Sequence, residues 1–264
     1  MAGGGDSTLP GVRRLLEVMR RLRDPESGCP WDRAQDSRSL ARYTLEEACE
    51  VIAAIESGDG DALREELGDL LFQVVFHAEL ARERGDYDFD AVADAIAGKL
   101  ERRHPHVFGG APGRDARHWE ELKAEERAAR GARGVLADIP LTLPALARAA
   151  KLGRRAAQVG FDWPDADGAR AKVLEELEEI EAARRGEGTS SLEDEVGDLL
   201  LAVTSFARHL GVEPETALRR ANRRFEERFA ALEALARRRG LDPARLDAAT
   251  LDALWNDVKK GIRS

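Results

Sequence analysis

Apolar residues recur every three or four positions along most of this chain, which is the spacing of one face of an α-helix. In the longest stretch, residues 62–84, this stripe consists of Leu63, Leu67, Leu70, Leu71, Val74 and Val75. Shorter stretches with the same spacing cover residues 15–22, 39–56, 89–103, 170–185, 192–210 and 215–239. Few β-branched residues accompany them, which argues against an extensive sheet. The pattern predicts an all-α protein with about four helices in each half, joined by short turns that favour antiparallel neighbours.

The composition supports the all-α interpretation and limits the cellular environments and partners that we expect. Ala, Leu, Arg and Glu dominate the 264 residues, and these side chains lose little freedom on entering a helix. The net charge of −9 argues against generic binding to nucleic acid or to an anionic membrane. No apolar run approaches the roughly 18 residues of a membrane span, and the first residues lack the apolar core of a signal peptide. We therefore expect a soluble, cytoplasmic protein with no nucleic-acid and no membrane partner.

The second half of the chain repeats the first. Residues 45–50 match residues 174–179, and residues 66–71 match residues 195–200 at the same separation. Three further blocks recur in the same order, namely 28–32 with 160–163, 99–103 with 224–228, and Trp119/Lys123 with Trp255/Lys259. Chance resemblance between acidic helices would not preserve this order, so the sequence indicates a tandem duplication.

Glycines and prolines mark the boundary between the two copies. The interrupting residues are Gly131, Gly134, Pro140 and Pro144. Because prolines at this density end or delay helices, we predict a first module over residues 1–130, a linker over 131–150 and a second module over 151–264. One such module is small for burying its own core, which favours pairing with another module, either in the same chain or across a homodimer.

Acidic pairs lie at helical spacing in both copies. Glu47 and Glu50 are three residues apart and share a helix face, as do Glu66 and Asp69 on the next helix. If these helices pack antiparallel, four carboxylates converge into an oxygen-ligand site suited to Mg²⁺ or Mn²⁺. The second half repeats the set as Glu176, Glu179, Glu195 and Asp198.

Other interpretations of these acidic residues remain open at this point. In a chain with 50 acidic residues, such a pair is usually a solvated face, and Thr44 with Glu47 also fits a helix capping box. Against this, Glu176 has no serine or threonine three residues before it. A non-catalytic helical nucleotide-binding or scaffold protein with degenerate sites is an alternative of another class. An isoprenoid diphosphate enzyme is disfavoured by the aromatic content of 5%, and a di-iron bundle by the lack of Glu-x-x-His among these carboxylates.

In each half of the chain, basic and aromatic residues follow the acidic set in the sequence. Lys99 and Arg103 are four residues apart on a predicted helix, so they share a face and suit a phosphate group. Their counterparts are Arg224 and Arg228. Each half also carries a tryptophan followed four residues later by a lysine, which could offer a stacking surface and a phosphate contact: Trp119 with Lys123, and Trp255 with Lys259.

These residues and spacings resemble the MazG nucleotide pyrophosphohydrolases. The resemblance rests on residues 21–32, 43–47, 65–76 and 99–108, and it extends over nearly the whole chain, including the two-module layout. It implies an all-α NTP pyrophosphohydrolase fold, a homodimer, and Mg²⁺-dependent hydrolysis of NTPs or dNTPs to a nucleoside monophosphate and pyrophosphate. Such an activity would serve nucleotide-pool housekeeping.

The resemblance also implies roles for particular residues. The family's metal motif, EExxE followed by ExxD, falls on Glu46, Glu47, Glu50, Glu66 and Asp69, and again on Glu175, Glu176, Glu179, Glu195 and Asp198. Glu46 and Glu175 are the candidates to orient the attacking water or to accept its proton. The family's basic and Trp/Lys positions fall on the residues named above. One departure is Arg224, where the family has lysine, so the copies have diverged and one or both modules could be active.

Overall fold

The structure of the protein is a computed structural model that describes residues 9–109, 134–187 and 190–261. Over these ranges the chain forms α-helices, one short 3₁₀ turn and no strand. The all-α prediction is therefore confirmed. Within the same ranges, no helix combines the length and the apolar character that crossing a membrane requires.

The described helices form two compact units, the first within residues 9–109 and the second within 134–187 and 190–261. The first contains α1 (Pro10–Leu22), α2 (Pro30–Arg33), α3 (Ser37–Ser57), α4 (Gly60–Glu83), α5 (Phe89–Arg103) and α6 (Pro105–Phe108). The second contains α7 (Ala145–Ala157), α8 (Ala166–Arg184), α9 (Leu192–His209), α10 (Pro214–Arg238) and α11 (Ala248–Gly261). Helix α7 begins inside the segment 131–150, and the module limits stay predictions.

Local capping signals set the ends of the two acidic helix pairs. Asp36 and Ser39 form a capping box at the start of α3, which ends at Gly58 with a φ of 74°. Asp59 accepts hydrogen bonds from two backbone N–H groups at the start of α4. In the second unit, Asp165 caps α8 in the same way, and Ser191 caps α9. Short polar side chains, with left-handed glycines after α3 (Gly58) and α8 (Gly186), therefore define the hairpins that carry the acidic residues.

The position of the α3 cap tests whether Thr44 and Glu47 form a helix capping box. Because α3 begins directly after Asp36, Thr44 lies two turns inside the helix and is not a cap residue. Its hydroxyl instead lies 3.4 Å from the Leu40 carbonyl oxygen and 3.1 Å from His77 Nε2 on α4. The capping-box interpretation of Thr44 and Glu47 is therefore wrong, and the Glu47 carboxylate is not used by a helix end.

The apolar core of the first unit lies toward the C-terminal half of α4. Its buried members come from α1, α3 and α4 and are Met19, Leu40, Val75, Phe76 and Leu80. Arg23 lies against this core, with its guanidinium carbon 5.5 Å from the centre of the Phe76 ring. The same guanidinium pairs with Glu83, with a shortest separation of 2.6 Å, and donates to the Asp32 carbonyl. The N-terminal half of α4, which carries Glu66 and Asp69, extends beyond this core.

The second unit builds its apolar cluster from different helices. Leu232 and Ala236 of α10 pack with Leu254 and Val258 of α11, and all four are buried. Helix α9 packs along α8 and also contacts α7. Between α9 and the segment before α8, Arg208 and His209 pair with Asp162 at 2.5 and 3.0 Å. The acidic pair of each unit thus packs against the helix that precedes it, α1 against α4 and α7 against α9, while the buried apolar clusters of the two units come from different helices.

Both acidic helix pairs leave apolar side chains exposed at equivalent positions of the repeat. In α3 and α4 these are Leu45, Leu67, Leu71 and Val74, each more than a third exposed. In α8 and α9 the same positions hold Leu174, Val196, Leu200 and Val203, which are exposed to a similar degree. A contiguous apolar surface on a helix pair commonly marks a contact with another polypeptide surface.

Candidate metal centres

The first acidic cluster forms where α3 and α4 run side by side. One carboxylate oxygen from each of Glu47, Glu66 and Asp69 lies within 4.8 Å of the others. Glu47 and Glu66 are half-buried and Asp69 is exposed. The antiparallel hairpin brings the single residue of α3 opposite the i,i+3 pair of α4, as the spacing predicts. The group can hold a hard cation through oxygen atoms alone.

The electrostatics of this cluster show like charges in close proximity. Burial raises the pKa of Glu47 above its usual range, and the nearby Asp69 and Glu50 carboxylates raise it further. Burial likewise raises the pKa of Glu66, with added repulsion from Glu50 and Asp69. Glu50 therefore lies beside the cluster although it is not one of the three closest ligands. Such crowding of carboxylates is relieved by a bound cation.

The second cluster has a different composition at the same place in the repeat. Its three carboxylates within 4.8 Å belong to Glu176 and Glu179 of α8 and Glu195 of α9. Glu176 is 3% exposed and Glu195 9% exposed, so this cluster is more deeply buried than the first. Asp198 lies one turn beyond Glu195, is exposed, and is not among the three. Thus, α3 gives one ligand and α4 two in the first unit, whereas α8 gives two and α9 one in the second.

One atom of the second cluster supports a cation site directly. Glu176 Oε2 is buried and has no hydrogen-bond partner in the part of the chain that the structure describes. An unpaired carboxylate oxygen away from water is costly, because it has lost its hydration without gaining a partner. The donors of both clusters are carboxylate oxygens, a set that favours Mg²⁺ or Mn²⁺ over softer metals.

Lys172 distinguishes the two clusters, although it lies outside the acidic and basic motifs recognised in the sequence. Its ammonium lies 2.6 Å from Glu175, 2.7 Å from Glu176 and 3.8 Å from Glu179. Hydrogen bonds to Glu175 and then Glu176 raise the pKa of Lys172. The equivalent residue of the first half is Tyr43, whose ring packs edge-on against Trp31 and against the core. The signal was in the repeat, since both residues lie four positions before the first cluster glutamate.

The predicted water-orienting glutamates lie next to the clusters. Glu46 is exposed on α3, and its charge contributes to the raised pKa of Glu47. Glu175 is exposed on α8 and is paired with Lys172. The two equivalent glutamates therefore have different electrostatic partners, although both are accessible from solvent.

The predicted phosphate-binding residues lie on the helices that follow each acidic pair. Lys99 and Arg103 are half-buried at the end of α5, and on α10 Arg224 is exposed and Arg228 half-buried. In the described ranges, no hydrogen bond or ion pair joins Lys99, Arg224 or Arg228 to the cluster carboxylates. Helical spacing therefore places the members of each basic pair one turn apart, while their approach to the carboxylates stays a prediction.

The Trp/Lys pair of the second half is partly engaged in packing. Trp255 is half-buried against the α10–α11 apolar cluster, and its ring centroid lies 5.4 Å from that of Phe225. Phe225 is 58% exposed and was not singled out from the sequence. Lys259 is half-buried one turn after Trp255. Trp119 and Lys123 lie outside the described residues, so their predicted role stays a prediction.

The fold and the clusters together define an all-α protein with two clusters of carboxylates, each able to hold a divalent cation. The family model of the MazG nucleotide pyrophosphohydrolase domain matches residues 35–108, which span α3 to α6. A nucleoside triphosphate pyrophosphohydrolase of Escherichia coli (strain K12) is 48% identical over 255 residues, covering 94% of this chain and 97% of that protein. The nucleoside triphosphate pyrophosphohydrolase/pyrophosphatase MazG of Thermotoga maritima is 44% identical over 247 residues, covering 94% and 95% respectively. The chain belongs to the MazG nucleotide pyrophosphohydrolase family.

Proposed function

We propose that this protein hydrolyses nucleoside triphosphates, ribo- or deoxyribonucleotides, to a nucleoside monophosphate and pyrophosphate in a Mg²⁺-dependent reaction that serves nucleotide-pool housekeeping. The observation that carries the proposal is the convergence of three carboxylates from two helices, found independently in both units. The names of the near-full-length relatives support the same reaction class.

The metal would be held by the carboxylates of either cluster. In the first unit these are Glu47, Glu66 and Asp69 with Glu50 beside them, and in the second Glu176, Glu179 and Glu195, with Asp198 one turn away. The unpaired Glu176 Oε2 and the raised pKa values of Glu47 and Glu66 are the features that a divalent cation would stabilise. Mn²⁺ would fit the same donors.

The chain's own residues suggest how the reaction proceeds. A water oxygen forms a bond to the α-phosphorus in line with the bridging oxygen, whose bond to that phosphorus breaks as pyrophosphate leaves. Glu46 or Glu175 accepts the water's proton. Lys99 and Arg103, or Arg224 and Arg228, hold the departing phosphates and offset their charge. When bound, a divalent cation supplies further positive charge toward the phosphate oxygens.

The partly exposed aromatic surface of the second unit is a candidate binding site for the nucleotide base. Phe225 and Trp255 lie 5.4 Å apart at the boundary between α10 and α11, next to Arg224 in sequence and one turn from Lys259. A planar base gains stacking energy on such rings without sequence-specific hydrogen bonds. This arrangement suits a substrate class defined by its triphosphate more than by one particular base.

The reaction is tested with the full-length protein and a panel of NTPs and dNTPs in the presence of Mg²⁺. We expect equimolar release of pyrophosphate and nucleoside monophosphate. A coupled assay for each product measures the two amounts. Release of inorganic phosphate and nucleoside diphosphate would contradict the proposal. Retention of nucleotide binding without any turnover would favour the non-catalytic scaffold.

We also infer that the protein is a homodimer. The exposed apolar positions of the two helix pairs are equivalent in the repeat, so a second copy can cover both with similar helix-on-helix contacts. Analytical ultracentrifugation should give a dimer, and Leu71→Arg with Leu200→Arg should shift it toward monomer. Leu141→Arg changes an exposed leucine outside both pairs and is the matched control. A monomeric wild-type chain would contradict the homodimer.

A further inference from the structure

The ammonium of Lys172 lies where a cation would be expected in the second cluster. It contacts three carboxylates of α8, two of them at 2.6 and 2.7 Å and the third, Glu179, at 3.8 Å. Two of these partners, Glu176 and Glu179, are candidate metal ligands. An exposed i,i+4 pair would contribute little, but Glu176 is nearly fully buried, so its charge is poorly screened by water.

The first cluster has no equivalent of this lysine. Tyr43 occupies the same repeat position and turns toward the core and Trp31. Within the described residues, no ion pair reaches Glu47, Glu66 or Asp69, and repulsion from their neighbours adds to the raised pKa values of Glu47 and Glu66. One repeat position therefore decides whether the cluster carries its own positive charge.

Lys172 leaves the second cluster incompletely neutralised. It pairs with Oε1 of Glu176, while Oε2 of the same carboxylate stays buried without a partner in the described chain. Glu195 adds a further carboxylate that makes no ion pair with the lysine. The cluster can therefore still accept a divalent cation, but the incoming charge meets an ammonium already bound to two of its ligands.

We propose that Lys172 is a resident counter-ion of the second cluster, which competes with the divalent cation for Glu176 and Glu179 and so weakens metal binding in that module alone. This inference rests on the metal site of the proposed function. Its physical basis is that cation entry must either break the lysine ion pairs or place two positive charges within a few ångströms of each other, in a poorly screened site. The long, flexible lysine side chain allows the first outcome.

The test measures Mn²⁺ binding, by electron paramagnetic resonance of free Mn²⁺ and by calorimetry, in the full chain carrying Glu47→Gln and Glu66→Gln to silence the first cluster. Lys172→Met should lower the Mn²⁺ dissociation constant about tenfold, because it removes the charge and keeps the length of the side chain. Lys172→Arg should stay close to the parent. Lys260→Met removes an exposed lysine of α11 and should leave the constant unchanged.

A second measurement needs no substitution of Lys172. Amine acylation mapped by mass spectrometry should modify Lys172 several-fold faster with saturating Mn²⁺ than with a chelator, because its carboxylate partners are then taken by the metal. Lys260 should react at the same rate in both conditions. This readout decides the matter if Lys172→Met fails to fold.

The outcomes separate this inference from the proposed function. Equal or weaker Mn²⁺ affinity in a folded Lys172→Met variant, or acylation of Lys172 that ignores Mn²⁺, would overturn the competition while leaving the metal site in place. Absence of Mn²⁺ binding at the second cluster in every variant would overturn both the metal site and the competition. Binding that appears only in Lys172→Met would support the competition in its strongest form.

Discussion

The α3–α4 pair and the α8–α9 pair carry the same acidic pattern but balance its charge in different ways. In the first, Glu47, Glu66 and Asp69 meet near solvent and repel one another. In the second, Glu176 is buried and Lys172 supplies part of the missing positive charge. A repeated motif therefore fixes which carboxylates are available, whereas one residue outside the motif changes their electrostatic environment. The two modules should differ in metal affinity, in stability and in their response to pH.

The largest expected effect is on hydrolysis. Two double variants remove the charges needed for a cation while preserving side-chain volume. They are Glu47→Gln with Glu66→Gln in the first cluster, and Glu176→Gln with Glu195→Gln in the second. In a module that turns over, we expect the loss of pyrophosphate release to reach at least about a hundredfold, the scale of a lost charge-stabilising group. Glu178→Gln, an exposed residue of α8 outside the cluster, is the control. Full activity in the two double variants and in their combination would contradict the site.

The next effect separates the cores of the two units. Phe76 of α4 is fully buried, and Phe76→Ala should destabilise the first unit by about 3–5 kcal/mol. Leu254→Ala removes a buried side chain of the second unit and should cost about 2–5 kcal/mol there. Denaturant unfolding followed by hydrogen exchange assigns each loss to a unit. If either substitution lowers protection from hydrogen exchange equally in both units, the two units unfold as one cooperative structure. That result would contradict separate cores with separate stabilities.

A smaller effect concerns the helix starts. Asp59 and Asp165 each accept two backbone hydrogen bonds, at the starts of α4 and α8. Replacing either by alanine should cost about 1 kcal/mol, measured as a shift in the denaturant midpoint at constant slope. Asp59→Asn and Asp165→Asn keep the capping oxygen and should lose much less. Equal losses for alanine and asparagine would show that charge, and not the cap, is responsible.

The smallest expected effect is on pH dependence. The folded-state pKa values of Glu47 and Glu66 lie above 4.5, so the folded state binds protons more readily than the unfolded state. The first unit should therefore gain stability as pH falls from 7 toward the folded pKa values, and lose it as pH rises again. In the second cluster, burial raises the pKa of Glu179, and the charge of Lys172 opposes that shift. Thermal unfolding with a chelator at several pH values measures the difference.

The same experiment contains its own checks. Glu47→Gln with Glu66→Gln should flatten the pH dependence of the first unit. The pKa of Asp162 is lowered, first by its hydrogen bond from Arg208, so it contributes stability above its unfolded value that is lost as pH falls through the folded pKa. The stability that Asp162 contributes is lost below about pH 4. This change with pH is opposite in sign to the one expected from Glu47 and Glu66. A first unit that loses stability between pH 7 and 5 would contradict the raised pKa values.

Much of the fold could be predicted because its signals are local. Apolar spacing predicts the helices, and the polar and glycine residues that end them act through backbone groups only a few residues away. Helix α3 begins two residues before the predicted position and α4 ends one residue before it. The order of repeated blocks predicted two similar halves, and the paired acidic residues predicted clusters in both.

Tertiary structure decided what local patterns leave open. Where α9 packs against α8, Glu195 and not Asp198 joins Glu176 and Glu179. Tyr43 packs against the core, while Lys172 at the equivalent position reaches the carboxylates. Trp255 likewise divides its surface between the α10–α11 cluster and Phe225. The sequence by itself determined the helices, the duplication and the ligand chemistry. Only the tertiary structure decided which ligands meet and what neutralises them, because those choices depend on side chains far apart in the chain.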